Sequence, residues 1–183
     1  MKQIILNFSE VKLGQSQDKT VEITEDTQLL GIFVGREKQN VQMKLRVVHK
    51  KPGLKSLTLV KAVLLERSKF DFTGELVIEK GAQLTDTYLR CDVLMMSPQA
   101  SAKAVPCLEI SETNVKGGHG ATVGMIDSEQ LFLCMSRGMS LADAQYLLAK
   151  AFVRQVADMA NVADEVSGSN EVFASELAKL EQI

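Results

Sequence analysis

Short stretches in which apolar and polar residues alternate fill most of residues 1–126, and they limit the fold more than any other feature of the chain. The clearest example is residues 41–47, where every second residue is apolar. A period of two predicts a β-strand that buries one face. Further β-rich runs of the same character lie at residues 21–23, 57–65, 70–72 and 76–78.

Turn-forming residues separate these runs. They are Pro52-Gly53, Gly74, Gly81 and Ser97-Pro98, and each is read as a break between strands. Many short strands with regular breaks are typical of a sandwich, a barrel or a β-solenoid. Periodicity alone does not choose among these three architectures.

The pattern changes to a helical one at Asp127. Asp127 can cap a helix with Gln130 in the capping-box position, and Gly138 can end that helix in a left-handed conformation. Ser140 is then expected to cap a longer helix. Its apolar stripe recurs at three- and four-residue spacing, at Leu141, Ala144, Leu148, Phe152, Val156 and Met159.

A break is predicted at residues 166–170, followed by a last short helix with Phe173, Leu177 and Leu180 on one side. The expected organisation is therefore a β core over residues 1–126 and a helical subdomain over residues 127–183.

Composition excludes several classes of function. The chain has 183 residues, a length that suits one domain, and a net charge of −2, which gives no electrostatic reason to expect nucleic acid or an anionic membrane surface as partner. No apolar stretch approaches the roughly 20 residues that span a bilayer. The N-terminal residues do not resemble a signal peptide, so a cytoplasmic location is the default expectation.

Three cysteines occur, Cys91, Cys107 and Cys134, and none is part of a C-x-x-C motif. An odd, sparse set argues against a disulfide framework and against a closed zinc site. Buried or half-buried thiols are the simplest interpretation.

Several motifs resemble those of the SufB/SufD family of iron–sulfur cluster assembly proteins. Residues 59–97 carry F-x-G and G-A-Q-x-T-D, and residues 105–110 carry P-x-L-x-I. The run KGGHGATVGMID is similar to the family's S-H-G-A-T-x-G-x-I-D, and a helical S-R-G follows it. The resemblance extends over about residues 20–158. The positions that carry its C-terminal part are Gly118, His119, Gly120, Thr122, Gly124, Asp127, Arg137 and Gly138.

The resemblance implies a fold. Members of the family have a right-handed parallel β-helix, and the prediction here is a short one, capped by two to three C-terminal helices. The family's long N-terminal region has no counterpart in this sequence, which makes the chain similar to a short SufD-like member.

The resemblance also implies a site. In SufD-type relatives the residue corresponding to His119 lies near the subunit interface and is implicated in building the nascent cluster. Glycines at 117, 118 and 120 are expected to leave its imidazole accessible. Without the resemblance, an isolated histidine in a turn would be read as a structural residue.

The sequence departs from SufB-type relatives at two positions that matter for cluster binding. Gly120 stands where they have a carboxylate, and Ala100 stands where they have a cysteine. Cys91 and Cys107 remain as candidate thiol ligands, but no metal site is assigned. Any iron–sulfur cluster is expected to be transient rather than stably bound.

The expected function is a scaffold or accessory role in iron–sulfur cluster assembly, without enzymatic turnover. The resemblance implies a SufC-like ABC ATPase docked through the C-terminal helices, and a homodimer or a heterodimer with a SufB-like subunit. The alternative is a SufD-like interaction module without cluster chemistry of its own. A polysaccharide-cleaving β-helix enzyme is disfavoured, because no carboxylate pair recurs at rung-like spacing.

Overall fold

The structure is a computed structural model that describes residues 1–8, 16–160 and 169–181. In this part of the chain the strands are β1 Lys2–Leu6, β2 Ser16–Ile23, β3 Thr27–Gly35, β4 Asn40–His49, β5 Lys55–Leu64, β6 Lys69–Ile78, β7 Asp86–Met95, β8 Ser101–Ile110 and β9 Lys116–Met125. The helices that follow are α1 Ser128–Ser136, α2 Leu141–Met159 and α3 Ser169–Leu180.

Odd and even strands form two separate parallel sheets. Sheet A has the order β1-β3-β5-β7-β9 and sheet B the order β2-β4-β6-β8. Consecutive strands therefore alternate between the sheets, and the chain winds through about four turns of a β-solenoid. One turn takes about thirty residues, since Arg46 contacts Glu75 across 29 positions and Ser56 contacts Thr87 across 31. The predicted parallel β-helix with C-terminal helices is confirmed, and its turns are longer than those of many solenoids.

The space between the sheets is filled by the apolar residues of the period-two pattern. Val41, Met43, Leu45 and Val47 are all buried there, as the alternation predicts. Aromatic rings join the two sheets near the middle of the core. The ring centroids of Phe33 in sheet A and Phe70 in sheet B are 5.3 Å apart, within the range of favourable stacking.

Gly74 was predicted to mark a turn, and that prediction is wrong. It lies in the middle of β6, which joins the two separately predicted runs into one strand. A Cβ atom at this position would come 2.7 Å from Leu89 Cδ1 and 2.8 Å from Phe72 Cε1. Gly74 is therefore set by the packing of neighbouring side chains rather than by a turn. Gly53 and Gly81, with φ of 74° and 98°, do occupy turns.

A polar cluster interrupts the apolar core at one corner of the solenoid. His49 is fully buried, and its Nε2 lies 2.9 Å from Ser56 Oγ, which in turn lies 2.6 Å from Thr87 Oγ1. His49 ends β4 next to two lysines, a position that favours a surface or strand-end interpretation. The strand-end position is confirmed, but the surface position is wrong, because the side chain points between the sheets and is buried. Burial lowers the pKa of His49 to about 4.

Helices α2 and α3 lie against the outer face of sheet A. Buried side chains of β3 and β5, among them Leu30, Ile32 and Val63, share one apolar cluster with Val153 of α2 and Phe173 of α3. The helices thus cover a side of the solenoid at β3 and β5, whereas the sequence suggested that the α2 stripe covers its open end.

Both predicted helix caps are present. The Asp127 side chain accepts a hydrogen bond from Glu129 N at 2.8 Å, and Ser140 Oγ accepts one from Asp143 N at 3.1 Å. Gly138 has a φ of 92° just after α1, as its expected role in ending the helix requires.

The apolar stripe of α2 was only partly predicted. Leu141, a member of the predicted stripe, is exposed. The buried residues of the helix are Ala144, Ala149, Val153, Val156 and Ala157. Helix α3 begins at Ser169, so the last two residues of the break predicted at 166–170 are helical, and the others lie outside the described residues.

Candidate functional site

The last turn of the solenoid leaves one side of β9 and one side of β8 unpaired, because these strands end the order of their sheets. At the two ends of β9, Lys116 N donates to Thr85 O and Ile126 N donates to Met95 O. Alternate residues of a strand direct their N–H and C=O groups to the same side. The odd-numbered residues of β9, including His119, therefore direct these groups to the free edge.

The free edge of β8 differs from that of β9. Ser101 N and Ser111 N donate to the neighbouring strand β6, so the even-numbered residues of β8 face the free edge. Pro106 is one of these, and its missing N–H therefore costs no hydrogen bond within the sheet. An incoming strand would lack a donor in the middle of β8, while β9 offers an uninterrupted row of donors.

His119 is exposed on the last turn. It is the register partner of Leu89, a core residue, so its side chain is on the face of sheet A that looks towards sheet B. Apolar side chains of the same turn, from both sheets, also point into the space between the sheets and are exposed because no further turn covers them. They are Leu108, Ile110, Val123 and Met125.

The glycines around His119 do not all have the expected role. Gly117 shares the inward face with His119. Gly118 and Gly120 point to the opposite, outer face, where Tyr88 lies over them. A Cβ atom at Gly118 would come 2.8 Å from Tyr88 Cδ2, and one at Gly120 would come 3.0 Å from the Tyr88 hydroxyl. These two glycines let a ring lie against the bare backbone of the edge strand.

The two candidate thiol ligands lie on opposite faces of the solenoid wall. Cys91 of β7 is buried in the core next to Ala121, and burial raises its pKa to about 12. Cys107 is the register partner of Glu75 and lies on the outer face of sheet B. Among the described residues, no group of three or more His, Cys, Asp and Glu side chains is placed to hold a metal ion. A single chain thus brings Cys91 to the face of His119 but not Cys107.

The remaining motif residues connect the edge strand to the helices. Thr122 and Gly124 lie on the outer face of β9, and a Cβ atom at Gly124 would meet no atom within 4 Å. Asp127 starts α1 two residues after β9 ends, and Arg137 is the C-cap residue of α1. The His119 strand and the helical subdomain are therefore joined by a very short link.

Helix α1 carries a set of exposed apolar side chains, which the sequence did not single out. Phe132 is 73% exposed, and Leu133 and Met135 are also exposed. Leu141 and Leu147 of α2 have the same character. We call these five residues the α1–α2 apolar surface. Exposed large apolar side chains concentrated on two neighbouring helices make this region a candidate interaction site.

A row of contacts on the outer face of sheet A was also missed. It joins Lys61, Arg90 and Asp92 to Tyr88 and to helix α2. Tyr88, Arg90 and Asp92 alternate along β7 and share one face, but Lys61 is 31 positions before Asp92 and 91 before Phe152. No local pattern reveals these two contacts. Within the described residues, no helix is long and apolar enough to cross a membrane.

The fold and the free edge at β9 define a class: a parallel β-solenoid with a helical subdomain seated on its side. The SufBD core domain of the SUF system for iron–sulfur cluster assembly matches residues 15–152. The chain therefore belongs to the SufB/SufD family, as the motifs suggested.

Three relatives illustrate the similarity. An iron–sulfur cluster assembly SufBD family protein of Synechocystis is 30% identical over 134 residues, which are 73% of this chain and 29% of the relative. A SufBD family protein of Mycobacterium tuberculosis is 32% identical over 139 residues, 72% of this chain and 35% of the relative. The iron–sulfur cluster assembly protein SufD of Escherichia coli is 34% identical over 110 residues, 60% of this chain and 26% of SufD. The matched part is thus about a third or less of each relative's length.

Proposed function

We propose that this chain is a scaffold component of iron–sulfur cluster assembly without enzymatic turnover of its own. Membership of the SufB/SufD family supports the pathway. The observation that carries the proposal is the position of His119, exposed on a strand whose outer edge is unpaired. An imidazole at such an edge comes next to whatever subunit completes the sheet.

The partner at the edge is a second copy of this chain or a SufB-like subunit. Strand addition satisfies unpaired backbone groups and covers exposed apolar side chains at the same time. The partner strand is expected to pair with β9 rather than β8, because β9 offers an uninterrupted row of N–H donors and Pro106 interrupts the row on β8. Leu108, Ile110, Val123 and Met125 would be covered in the same step. His119 would then lie at the seam between the two subunits.

We assign the docking site of the ATPase partner to the α1–α2 apolar surface. Phe132 projects from a helix with no buried residues of its own, so it contributes little to the fold and is available for a partner. The short link between β9 and α1 supports a mechanism in which closure of a SufC-like ATPase pair moves α1 and, with it, the edge strand.

The iron–sulfur cluster is cargo in this proposal, and this chain contributes few ligands to it. His119 can supply one nitrogen. Cys91 is a buried, protonated thiol in the single chain, and a cluster needs thiolates. The other ligands would come from the partner subunit, and the cluster would be transient. The raised pKa of Cys91, together with Ala100, favours the alternative of an interaction module without cluster chemistry.

Two experiments test the proposal. Co-purification with a SufC-like ATPase should succeed with the wild type and fail with Phe132→Glu, while Lys103→Glu on the outer face of sheet B should behave as the wild type. Retention of the ATPase by Phe132→Glu would refute the assigned surface.

The edge is tested with Ala121→Pro. Ala121 directs its N–H to the free edge, so proline removes a donor for the partner but none within the sheet. Sedimentation should show loss of the dimer, formed alone or with a SufB-like subunit, without loss of the fold. A dimer that survives this change would place the interface elsewhere.

Cluster chemistry is tested by anaerobic reconstitution with iron and sulfide. The wild-type dimer should develop a visible absorption band, and His119→Ala should reduce it while leaving the melting temperature within about 2 °C, as expected for an exposed residue. A wild-type protein that binds the ATPase but develops no absorption band would refute the scaffold role in cluster building. Only the alternative, an interaction module without cluster chemistry, would then remain.

A further inference from the structure

A continuous row of side chains crosses the outer face of sheet A from helix α2 to the edge strand β9. It begins at Lys61 of β5. Its Nζ is 4.4 Å from the centroid of the Phe152 ring on α2 and 3.8 Å from Asp92 Oδ2 on β7. The Lys61 side chain is only 13% exposed. A buried ammonium depends on the few groups that contact it, so the positions of the Phe152 ring and the Asp92 carboxylate are linked through it.

The second step runs along β7. Asp92 is 9% exposed at its side chain. Its carboxylate accepts a bifurcated hydrogen bond from the Nε–H of Arg90, at 2.8 Å to Oδ2 and 3.1 Å to Oδ1. Asp92 therefore forms ion pairs with two cations: Lys61, which lies towards α2, and Arg90, which lies towards β9. Charge-assisted hydrogen bonds of this kind fix side-chain geometry more firmly than neutral ones.

The third step reaches the edge strand. Arg90 Nη1 and the Tyr88 hydroxyl meet above Gly120, at 3.9 Å and 3.0 Å from the position that a Cβ atom would take there. The Tyr88 side chain also raises the pKa of Arg90, and its ring lies over Gly118 and Gly120. These two glycines flank His119 in sequence. The outer face of β9 under the ring is bare backbone, because Gly118 and Gly120 have no side chains. A movement of the ring would therefore displace the backbone of the strand.

We propose that Phe152, Lys61, Asp92, Arg90 and Tyr88 form a coupling row that makes the position of the His119 strand depend on how helix α2 sits on sheet A. Asp92 is its central positioning residue. Chains of packed side chains and charged contacts are the means by which energetic coupling passes between distant sites. Only the use of this coupling, to carry ATPase-driven motion to the subunit seam, rests on the proposed function. The coupling itself is a property of the isolated chain.

Amide hydrogen exchange tests the proposal in the full chain, without ATPase or iron. Gly118 and Gly120 are the informative amides, because even-numbered residues of β9 donate to β7. Phe152→Leu keeps the apolar packing of α2 but removes the ring that contacts Lys61. It should speed exchange at Gly118 and Gly120 by about threefold or more, through local opening of the edge strand.

The matched control is Asp158→Asn, which breaks the exposed ion pair with Arg154 on the solvent side of the same helix. It should leave both amides unchanged. Buried amides of β4 serve as the internal reference for global unfolding. If Phe152→Leu folds poorly, Lys61→Met removes the same contact and keeps an apolar stem.

The decisive comparison is a double-mutant cycle with Asp92→Asn. If the row carries the effect, adding Phe152→Leu to Asp92→Asn should change the exchange at Gly118 and Gly120 by less than about 1.5-fold. Two substitutions whose effects multiply independently would overturn the proposal. So would a Phe152→Leu variant that behaves like Asp158→Asn. Neither result would bear on ATPase docking, which co-purification measures separately.

Discussion

The carboxylate of Glu176 on α3 accepts a 2.6 Å hydrogen bond from the backbone N–H of Val34 on β3. Strand β1 pairs with β3 only as far as Gly31, so the N–H of Val34 lies beyond the last paired residue. Glu176 takes the place of a strand carbonyl there, and Lys179 pairs with the same carboxylate. Helix α3 thus supplies the acceptor for this N–H of β3 where the pairing with β1 has ended.

Glu176→Ala should destabilise the fold by about 1–3 kcal/mol, because it leaves a buried N–H without an acceptor. Urea unfolding of the purified chain measures the loss. Glu181→Ala, an exposed substitution just beyond the same helix, should cost less than about 0.5 kcal/mol. Equal losses for the two variants would show that the contact with Val34 contributes nothing.

The stability of the fold should fall in mild acid through His49. Its pKa in the folded chain is about 4, below the ordinary value of 6.5, so below that ordinary value the unfolded chain binds a proton that the folded chain does not. The neutral, buried His49 therefore contributes its full share of the free energy of unfolding above pH 6.5, and this share is lost as the pH falls towards 4. Between pH 7.5 and 5.0 the loss should be about 2 kcal/mol.

The measurement is urea unfolding at these two pH values, for the wild type and for His49→Leu. The substitution costs stability at both pH values, because Ser56 loses one of its two hydrogen-bond partners and keeps Thr87. It should nevertheless remove most of the difference between the two values. A variant with an unchanged pH dependence would show that other groups cause it.

Gly74→Ala should destabilise the chain by about 1–3 kcal/mol, because the added methyl group overlaps Leu89 and Phe72 in a packed core. Gly124→Ala is the matched control, since its methyl group meets open space, and it should change stability by no more than about 0.5 kcal/mol. Thermal unfolding of both variants gives the comparison. A Gly74→Ala variant as stable as the control would mean that the core yields at little cost.

The three cysteines should differ sharply in reactivity. Cys91 is buried with a pKa raised to about 12, while Cys107 and Cys134 are half-buried. Because the thiolate is the reactive form, a thiol reagent at pH 8 should modify two cysteines quickly and Cys91 only on unfolding. Mass spectrometry identifies the sites, and Cys91→Ala should leave the rapid modification of two thiols unchanged. Rapid labelling of Cys91 in the native chain would contradict its burial.

The sequence predicted what depends on local patterns. The alternation at residues 41–47 located β4, and the caps at Asp127 and Ser140 located the starts of two helices. The family motifs then chose the solenoid among the β architectures. The turn predicted at Gly74 and the surface position predicted for His49 were wrong because both roles depend on the opposite sheet, where Leu89 lies over Gly74 and Ser56 contacts His49.

The candidate site shows the same division. His119 was found through its motif, and its place on an exposed last turn agrees with the expected accessibility. Gly118 and Gly120 make room for the Tyr88 ring on the outer face. This contact depends on the register between β7 and β9, which the sequence of neither strand reveals alone. The inward position of Cys91 and the outward position of Cys107 also depend on register.

The helices sit on β3 and β5, and the free edge belongs to β9, so two strand spacings separate β5 from the edge, about 10 Å at 4.8 Å each. Inserting or deleting one whole turn of the solenoid between β5 and β9 would change this distance by one strand spacing. The helix-covered strands and the free edge would stay as they are. The number of turns thus fixes the distance between the helices on β3 and β5 and the free edge of β9.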